Sequence, residues 1–316
     1  MATVLLTGGT GVIGRRLSEM LQSKGYDVII LTRKISLPSS NGKLSYANWD
    51  VKKGLIDTNA IAKADHIIHL AGANVAEKRW TKKRKAIIQN SRTASSALLV
   101  KALKENSNKV RTVISASAIG WYGPDTQTSK QKGFKENAPS ATDFLGTTCK
   151  LWEQSISPVQ TMGKRLVILR TGIVLSNDGG ALVEFKKPLK TGIAAILGSG
   201  KQAISWIHID DLCRMYIYAL EKDRMNGSYN AVAFQPTTNK KFMLILAKQL
   251  RGKSFITIRI PSFVLKIVLG EMSVEVLKST TVNADKIKNT GFTFLYPFLQ
   301  EALENLAGKE KKLLSN

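Results

Sequence analysis

The sequence predicts an α/β chain, in which a doubly wound parallel sheet is followed by a smaller mixed α/β lobe toward the C-terminus. Three observations carry that expectation. Short apolar runs alternate with amphipathic stretches through the first half, a glycine-rich turn joins the first run to the first amphipathic stretch, and the rhythm loosens after residue 172. Strand–helix alternation of this kind lays strands side by side in parallel, with helices covering both faces.

The strands are read in TVLLTG (3–8), DVIILTR (27–33), DHIIHLAG (65–72), RTVISASA (111–118) and RLVILRTG (165–172). Each is a run of strand-compatible residues closed by Gly, Ser or Thr. In the first helix Ile13, Leu17, Met20 and Leu21 share one face, and Gly25 stands where a C-cap belongs. A glycine-containing segment (179–200) then leads to SWIHIDDL, where Asp210 or Asp211 would cap a helix Leu212–Lys222. GSYNAVA (227–233) reads as a strand, 240–251 as a helix, FITIRIP as a strand, 262–278 as a mostly apolar helix and 297–307 as a terminal helix. Residues 1–172, with 206–234 returning to them, form the expected first domain; 173–205 and 235–308 form the smaller substrate lobe.

With 316 residues and 43% hydrophobic content, the chain can bury one large core or two moderate ones. Its net charge of +24 admits two readings, a polyanion partner or a lysine-rich solvated surface. The basic clusters at 78–85, 130–135 and 186–190 are scattered and lack interleaved aromatics, which argues for the surface and against nucleic acid. Two cysteines, Cys149 and Cys213, offer neither a disulfide framework nor a metal site, so a reducing, cytoplasmic setting is expected. The stretch Phe263–Gly270 is short and carries Lys266, so it reads as a buried or groove-lining helix and not a membrane span. MATVLLTGGTG has no basic leader and enters a strand at once.

Between the first strand and first helix stands TGGTGVIG, with Gly8, Gly11 and Gly14 spaced G-x-x-G-x-x-G. Bare backbone permits a tight turn and lets N–H groups approach a pyrophosphate seated on the helix N-terminus. The flanking strand and helix supply the context such a motif needs. Thr10, Val12 and Ile13 join the glycines as candidate contacts. The second strand ends in Leu31, Thr32, Arg33 and Lys34, where NAD-binding turns place an acid. A guanidinium there suits a 2′-phosphate, so NADP(H) is the expected cofactor, with Thr32 and Arg33 in contact. Asp50 is expected beside the adenine, and Leu70, Ala71 and Gly72 near the ribose.

These pieces resemble the extended short-chain dehydrogenase/reductases, the group holding nucleotide-sugar epimerases and dehydratases. The matching stretches are TGGTGVIG, HLAGA, SASAIGWYG, LRTGIVLS and SWIHIDDL. RWTKKRKAIIQNSRT, DFLGTTCKLWE, IPSFVLKIVLGEMSVEVL and GFTFLYPFLQEAL are similar to an atypical subgroup labelled "epimerase family protein". The likeness runs from Val4 to about Leu306. It implies a Rossmann-type first lobe, and its motifs SASAIGWYG and LRTGIVLS add Ser115, Arg170 and Gly172 to the candidate cofactor contacts.

Ordinary members pair a serine with a Tyr-x-x-x-Lys helix, in which the lysine lowers the tyrosine's pKa and the tyrosine moves the proton. Ser117 matches the serine. Aligning on Glu153 places Leu145 and Cys149 at the other two positions; sliding by one places Gly146 and Lys150 there. Neither register holds a phenol, and the pair Tyr218 and Lys222 lies on the wrong element. Tyr122 is the candidate substitute, while Cys149 and His208 read as core residues. The resemblance makes Arg79, Trp80, Ser91 and Arg92 the expected substrate contacts. Nucleotide-sugar enzymes carry an arginine where this chain has Ile204, which speaks against such a substrate, with Gln202 and Lys201 as partial replacements.

The functional expectation is an NADP(H)-dependent oxidoreductase or epimerase-like enzyme on a small carbonyl or hydroxyl compound, with Ser117 polarising the substrate oxygen and a homodimer as a possible assembly. The alternative is a non-catalytic NADPH-binding regulator, which the resemblance links to cell division.

Overall fold

A computed structural model describes residues 2–33 and 42–314, with side chains to residue 308; Lys34 lies outside the described residues. Strand β1 (Thr3–Thr7) turns into α1 (Val12–Ser23), then β2 (Asp27–Thr32), β3 (Leu44–Asp50) and the short β4 (Leu55–Ile56). Helix α2 (Thr58–Lys63), β5 (His66–His69), the long α3 (Lys82–Glu105) and β6 (Thr112–Ala118) follow. After α4 (Gln127–Lys132) and α5 (Phe144–Ile156) come β7 (Arg165–Thr171) and β8 (Ile173–Leu175). The later chain holds α6 (Ala181–Lys190), β9 (Ile193–Leu197), β10 (Ala203–Ile204), β11 (Trp206–His208), α7 (Ile209–Glu221) and β12 (Gly227–Ala231). It closes with β13 (Thr237–Thr238), α8 (Asn239–Arg251), β14 (Ile256–Ile260), α9 (Ser262–Leu269), α10 (Ser273–Leu277), α11 (Asp285–Lys288) and α12 (Leu299–Leu314).

The main sheet has eight strands in the order β12-β7-β6-β5-β1-β2-β3-β4. Strand β1 pairs in parallel with β2 on one side and β5 on the other, so the winding reverses there. A crevice at such a switch point, outside the carboxyl ends of the strands, is where open α/β sheets bind ligands. β4 pairs antiparallel with β3, and β12 adds to the far edge in parallel with β7.

Burial on both faces explains why the strands are almost wholly apolar. In β1, Val4 and Leu6 point into one cluster with Leu17 and Leu21 of α1 and Leu212 and Tyr216 of α7. Leu5 points the other way, among Ile67, Val113, Leu99 and Ile156. Each fully buried leucine contributes about 1.5–3 kcal/mol. A third cluster brings together Leu182 of α6, Ile196 of β9, Trp206 of β11, Phe242 of α8 and Leu303 of α12.

Two elements differ from the sequence reading. Helix α7 starts at Ile209 because His208, not an aspartate, is its cap, with Nδ1 accepting from the Asp210 N–H at 3.1 Å. The apolar helix expected over 262–278 breaks at Gly270, whose φ of +61° ends α9 before a 3-10 turn and α10. That helix is also not buried: Phe263, Ile267 and Val268 are exposed, and Leu265 turns inward.

Candidate functional site

The turn after β1 is built for an anion. Gly8 has φ +69°, and a Cβ there would lie 2.9 Å from the Leu70 carbonyl carbon. A Cβ at Gly14 would overlap the Gly8 carbonyl and the Gly9 backbone. Gly11 donates its N–H to Gly8 O at 3.0 Å and caps α1 with no side chain, and no acid occupies the first turn of that helix. The free N–H groups and the positive end of the helix dipole therefore face Thr10 and Gly11, both exposed. Val12 and Ile13 are half-buried beside them. Arg33 is exposed just past the end of β2 and makes no ion pair among the described residues; Thr32 is half-buried before it. Asp50 ends β3 in a turn, with Oδ1 accepting from Lys52 N at 3.0 Å and Lys53 N at 3.3 Å.

Beneath this turn lies a polar relay that the sequence did not announce. Thr7 Oγ1 accepts from the Leu70 and Ala71 N–H groups at 3.1 and 3.2 Å and sits 2.8 Å from His69 Nδ1. His69 Nε2 meets Ser96 Oγ at 3.1 Å and Ser95 Oγ at 3.3 Å, and both serines donate to Arg92 O. That pattern assigns the proton to Nε2. Full burial pulls the His69 pKa down to about 3, so the ring stays neutral. The signal was present, since Thr7 and His69 are register partners on adjacent strands. The relay fixes Leu70 and Ala71 at the crevice, with Gly72 exposed beyond them.

At the end of β6 the two serines turn away from the crevice. Ser115 is buried and bonds to Ala116 O at 3.1 Å. Ser117 is 2% exposed and donates to Glu153 Oε1 at 2.7 Å. Alternation leaves Ala116 and Ala118 partly open instead. Ser117, the expected polariser of the substrate oxygen, is tied to α5 through this bond. Gly120 lies against α5, where its Cβ would stand 3.1 Å from Leu145 Cβ and 3.7 Å from Cys149 Sγ. On α5, Gly146 is pressed on the Ala141 backbone and Lys150 is exposed, so Leu145 and Cys149 face the sheet end. Burial pushes the Cys149 thiol up to about 12.

Tyr122 also moves inward. It is fully buried, donates to Asn230 Oδ1 at 2.7 Å and accepts from Arg170 Nη1 at 3.1 Å. Burial raises its pKa to about 12. Arg170, expected at the cofactor, instead grips Glu153 with two bonds of 2.9 Å and stacks 3.7 Å from the Trp121 ring centroid. At 3% exposure it belongs to an interior ion pair. Gly172 permits close packing, because a Cβ there would meet Ser205 O at 2.6 Å.

On the expected substrate side, Ser91 Oγ accepts from Ala73 N at 2.9 Å and Arg92 Nη1 donates to Ala73 O at 3.1 Å, so both brace the loop after β5. Arg92 lies 4.9 Å from the Trp152 ring centroid and close against Gly72, with its pKa lowered by burial. Trp80 packs edge-on to Phe144 at 4.9 Å and donates to Val75 O at 2.8 Å. Arg79 is exposed and lies across Gly270. Gln202, an expected substrate contact, is buried; its Nε2 donates to Leu197 O at 3.0 Å and Val276 O at 3.4 Å and so links β9 to α10. Ile204 is buried and pairs with Thr237. Sequence reasoning missed Lys278, which bonds Glu275 at 2.9 Å and approaches Asp143 and the Tyr122 carbonyl at 3.5 Å.

Comparison with known proteins fits this layout. Residues 4–148 match the NAD dependent epimerase/dehydratase family, and 260–306 match a domain of unknown function, DUF1731. An epimerase family protein of Staphylococcus saprophyticus is 36% identical over 306 residues, covering 97% of this chain and 99% of its own. One from Staphylococcus aureus is 36% identical over 309 residues, covering 98% and 100%. The chain belongs to the epimerase family proteins.

Among solved structures, the human epimerase family protein SDR39U1 (isoform 2) with NADPH superposes at a TM-score of 0.83 and 28% identity, covering 97% of this chain and 99% of that one. A nucleoside-diphosphate sugar epimerase from Corynebacterium glutamicum gives 0.76 at 29% identity; this chain is fully covered and spans 62% of that one. The cradle of this epimerase family protein suits a nicotinamide dinucleotide, since Gly8 and Gly14 have no space for a Cβ and the first helix has no side-chain cap on its N–H groups. Gly8, Gly11 and Gly14 would hold the pyrophosphate.

Proposed function

We propose that this epimerase family protein binds NADP(H) and acts as an oxidoreductase or epimerase-like enzyme on a small carbonyl or hydroxyl compound. The observation that carries the reading is the open glycine cradle with exposed Arg33 at the end of the neighbouring strand. The human relative's NADPH supports the choice of the phosphorylated cofactor. When bound, the nicotinamide supplies or accepts a hydride. Arg33 would hold the 2′-phosphate in a bidentate grip, and the Thr7–His69 relay would keep Leu70 and Ala71 in place at the ribose. Ala118, Gly120 and Leu145 would form an apolar floor that orients the reacting carbon. With Ser117, Tyr122 and Cys149 all buried, water exchanges the proton. Arg79 and Trp80 would meet the substrate at the rim. The buried Ile204 in place of a cation supports a substrate without a nucleoside diphosphate.

Fluorescence titration with NADPH and NADH tests the cofactor, and a panel of carbonyl and alcohol compounds monitored at the nicotinamide absorbance tests turnover. Preference for NADPH with turnover of at least one compound is expected; equal affinity for both cofactors removes the reading. The occupied hydroxyls of Ser117 and Tyr122 favour a second reading, a non-catalytic NADPH-binding regulator. Tight NADPH binding with no turnover, and capture of a protein partner only when NADPH is present, selects it.

A further inference from the structure

Six of the eleven exposed large hydrophobics among the described residues fall between residues 256 and 274. Ile256 is 63% exposed, Phe263 65%, Ile267 68% and Val268 60%, with Ile258 and Val274 beside them in sequence. Of the other five, only Leu295 and Phe298 are near each other in sequence, so among the described residues this segment is the longest exposed apolar run.

Its geometry concentrates the exposure. Strand β14 pairs in parallel with β9 so that Ile256, Ile258 and Ile260 stand on the same side as Ile193, Ala195 and Leu197. All six are apolar, while Ala194 and Ile196 turn inward to the third core cluster. Pro261 then leads into α9. At about 100° per residue, Phe263, Ile267 and Val268 share one side, Lys266 lies at its edge and Leu265 and Leu269 point away. A helix that is apolar nearly all round and still exposed calls for a partner.

The charge identifies that partner. Between residues 251 and 270 there is no Asp or Glu, while Arg251, Lys253, Arg259 and Lys266 are all exposed and form no ion pair among the described residues. A second copy of the chain would set these cations against their equals. An apolar helix face edged by unpaired cations is matched by an anionic bilayer surface, into which the apolar side chains dip while the cations meet the headgroups. No helix of the described residues is long and apolar enough to cross a membrane, so the contact lies on the surface. We infer that β14 and α9 form a docking face for an anionic lipid bilayer. Docking there would also bring the rim of the site to the surface, since Arg79 lies across Gly270 and Lys85 bonds Glu271 at 2.9 Å in the turn after α9.

Flotation of the full-length protein with vesicles of phosphatidylcholine, alone or with roughly one-third phosphatidylglycerol, tests this. At least about tenfold more protein should float with the anionic vesicles, and high salt should release most of it. Ile267→Asp should abolish flotation, and Lys266→Glu should weaken it about fivefold, with melting temperature and NADPH affinity unchanged. Phe263→Ser serves as a second variant if Ile267→Asp melts early. Equal flotation with both vesicle types, or flotation unaffected by Ile267→Asp and Phe263→Ser, overturns the inference. So does a dimer in light scattering that Ile267→Asp dissolves while no vesicle binds, or salt-sensitive capture of single-stranded RNA in place of vesicles.

Discussion

Ser117 donates a hydrogen bond to Glu153, with Oγ and Oε1 2.7 Å apart, and the same carboxylate holds Arg170 through two further bonds. A serine committed in this way supports a helix. Ser117→Ala should therefore lower stability by about 1–3 kcal/mol in urea unfolding while NADPH affinity stays within about twofold of the parent. Glu153→Ala should cost more, about 3–5 kcal/mol, because it strands a buried guanidinium. If Ser117→Ala instead abolished turnover at unchanged stability, the serine would be facing the crevice after all.

Gly14→Ala tests the cradle. The added methyl would strike the Gly8 carbonyl and Gly9 backbone, atoms that cannot yield without opening the turn. NADPH binding should weaken at least about tenfold, read by fluorescence titration, with the circular-dichroism spectrum of the α/β fold retained. Undiminished affinity would place the phosphates elsewhere.

Arg33 bears on the choice of cofactor. At this exposed position the whole charge-assisted grip on a 2′-phosphate is worth about 1.5–3 kcal/mol, so Arg33→Ala should weaken NADPH by about tenfold to a hundredfold. NADH, which lacks that phosphate, should bind the variant and the parent alike. A parallel loss for both cofactors would show that Arg33 shapes the turn and reads no phosphate.

His69 ties stability to pH. Its folded pKa is lowered to about 3, below the 6.5 of a free imidazole, by burial. The unfolded chain therefore binds more protons between those values, and stability falls as pH drops from 6.5 toward 3, by about 1.4 kcal/mol per unit. Above pH 6.5 the contribution is complete. Urea midpoints at pH 7, 6 and 5 should show a slope that His69→Gln reduces by about one proton. His66, also lowered by burial, leaves a residual slope in the variant.

The parallel sheet was legible because strands covered on both faces must be apolar throughout, and Val4, Leu5 and Leu6 are sorted to opposite clusters by alternation alone. The cradle was legible for a similar reason, since three glycines at one turn have few other uses. What escaped the sequence were long-range partners. Nothing local says that Tyr122 meets Asn230, 108 residues away, or that Arg170 and Ser117 share Glu153. Motif position put those residues near a cofactor, but their side-chain direction depended on strands and helices that only tertiary packing sets. The apolar run at 263–270 read as a buried or groove-lining helix; Gly270 ends it, and Phe263 and Ile267 stand exposed.

On the register that aligns Glu153, Leu145 and Cys149 take the tyrosine and lysine positions, and substitution there tests that alignment. Cys149 is 3% exposed and lies close enough to Arg92 for the guanidinium to draw its thiol pKa down against the larger effect of burial. Arg92 itself is packed on Trp152 and Gly72 with backbone carbonyls as its partners, so a positive charge already occupies this side of α5. A lysine at 149 would be a second buried cation with no carboxylate of its own. Cys149→Lys should therefore destabilise the fold by several kcal/mol, about 3 or more in urea unfolding. Leu145→Tyr, at a half-buried position, should be much milder, and the double variant should be no more active than the parent in an NADPH-consumption screen. A Cys149→Lys protein as stable as the parent would mean that α5 presents a different face to the sheet, and that the tyrosine and lysine positions were wrongly placed.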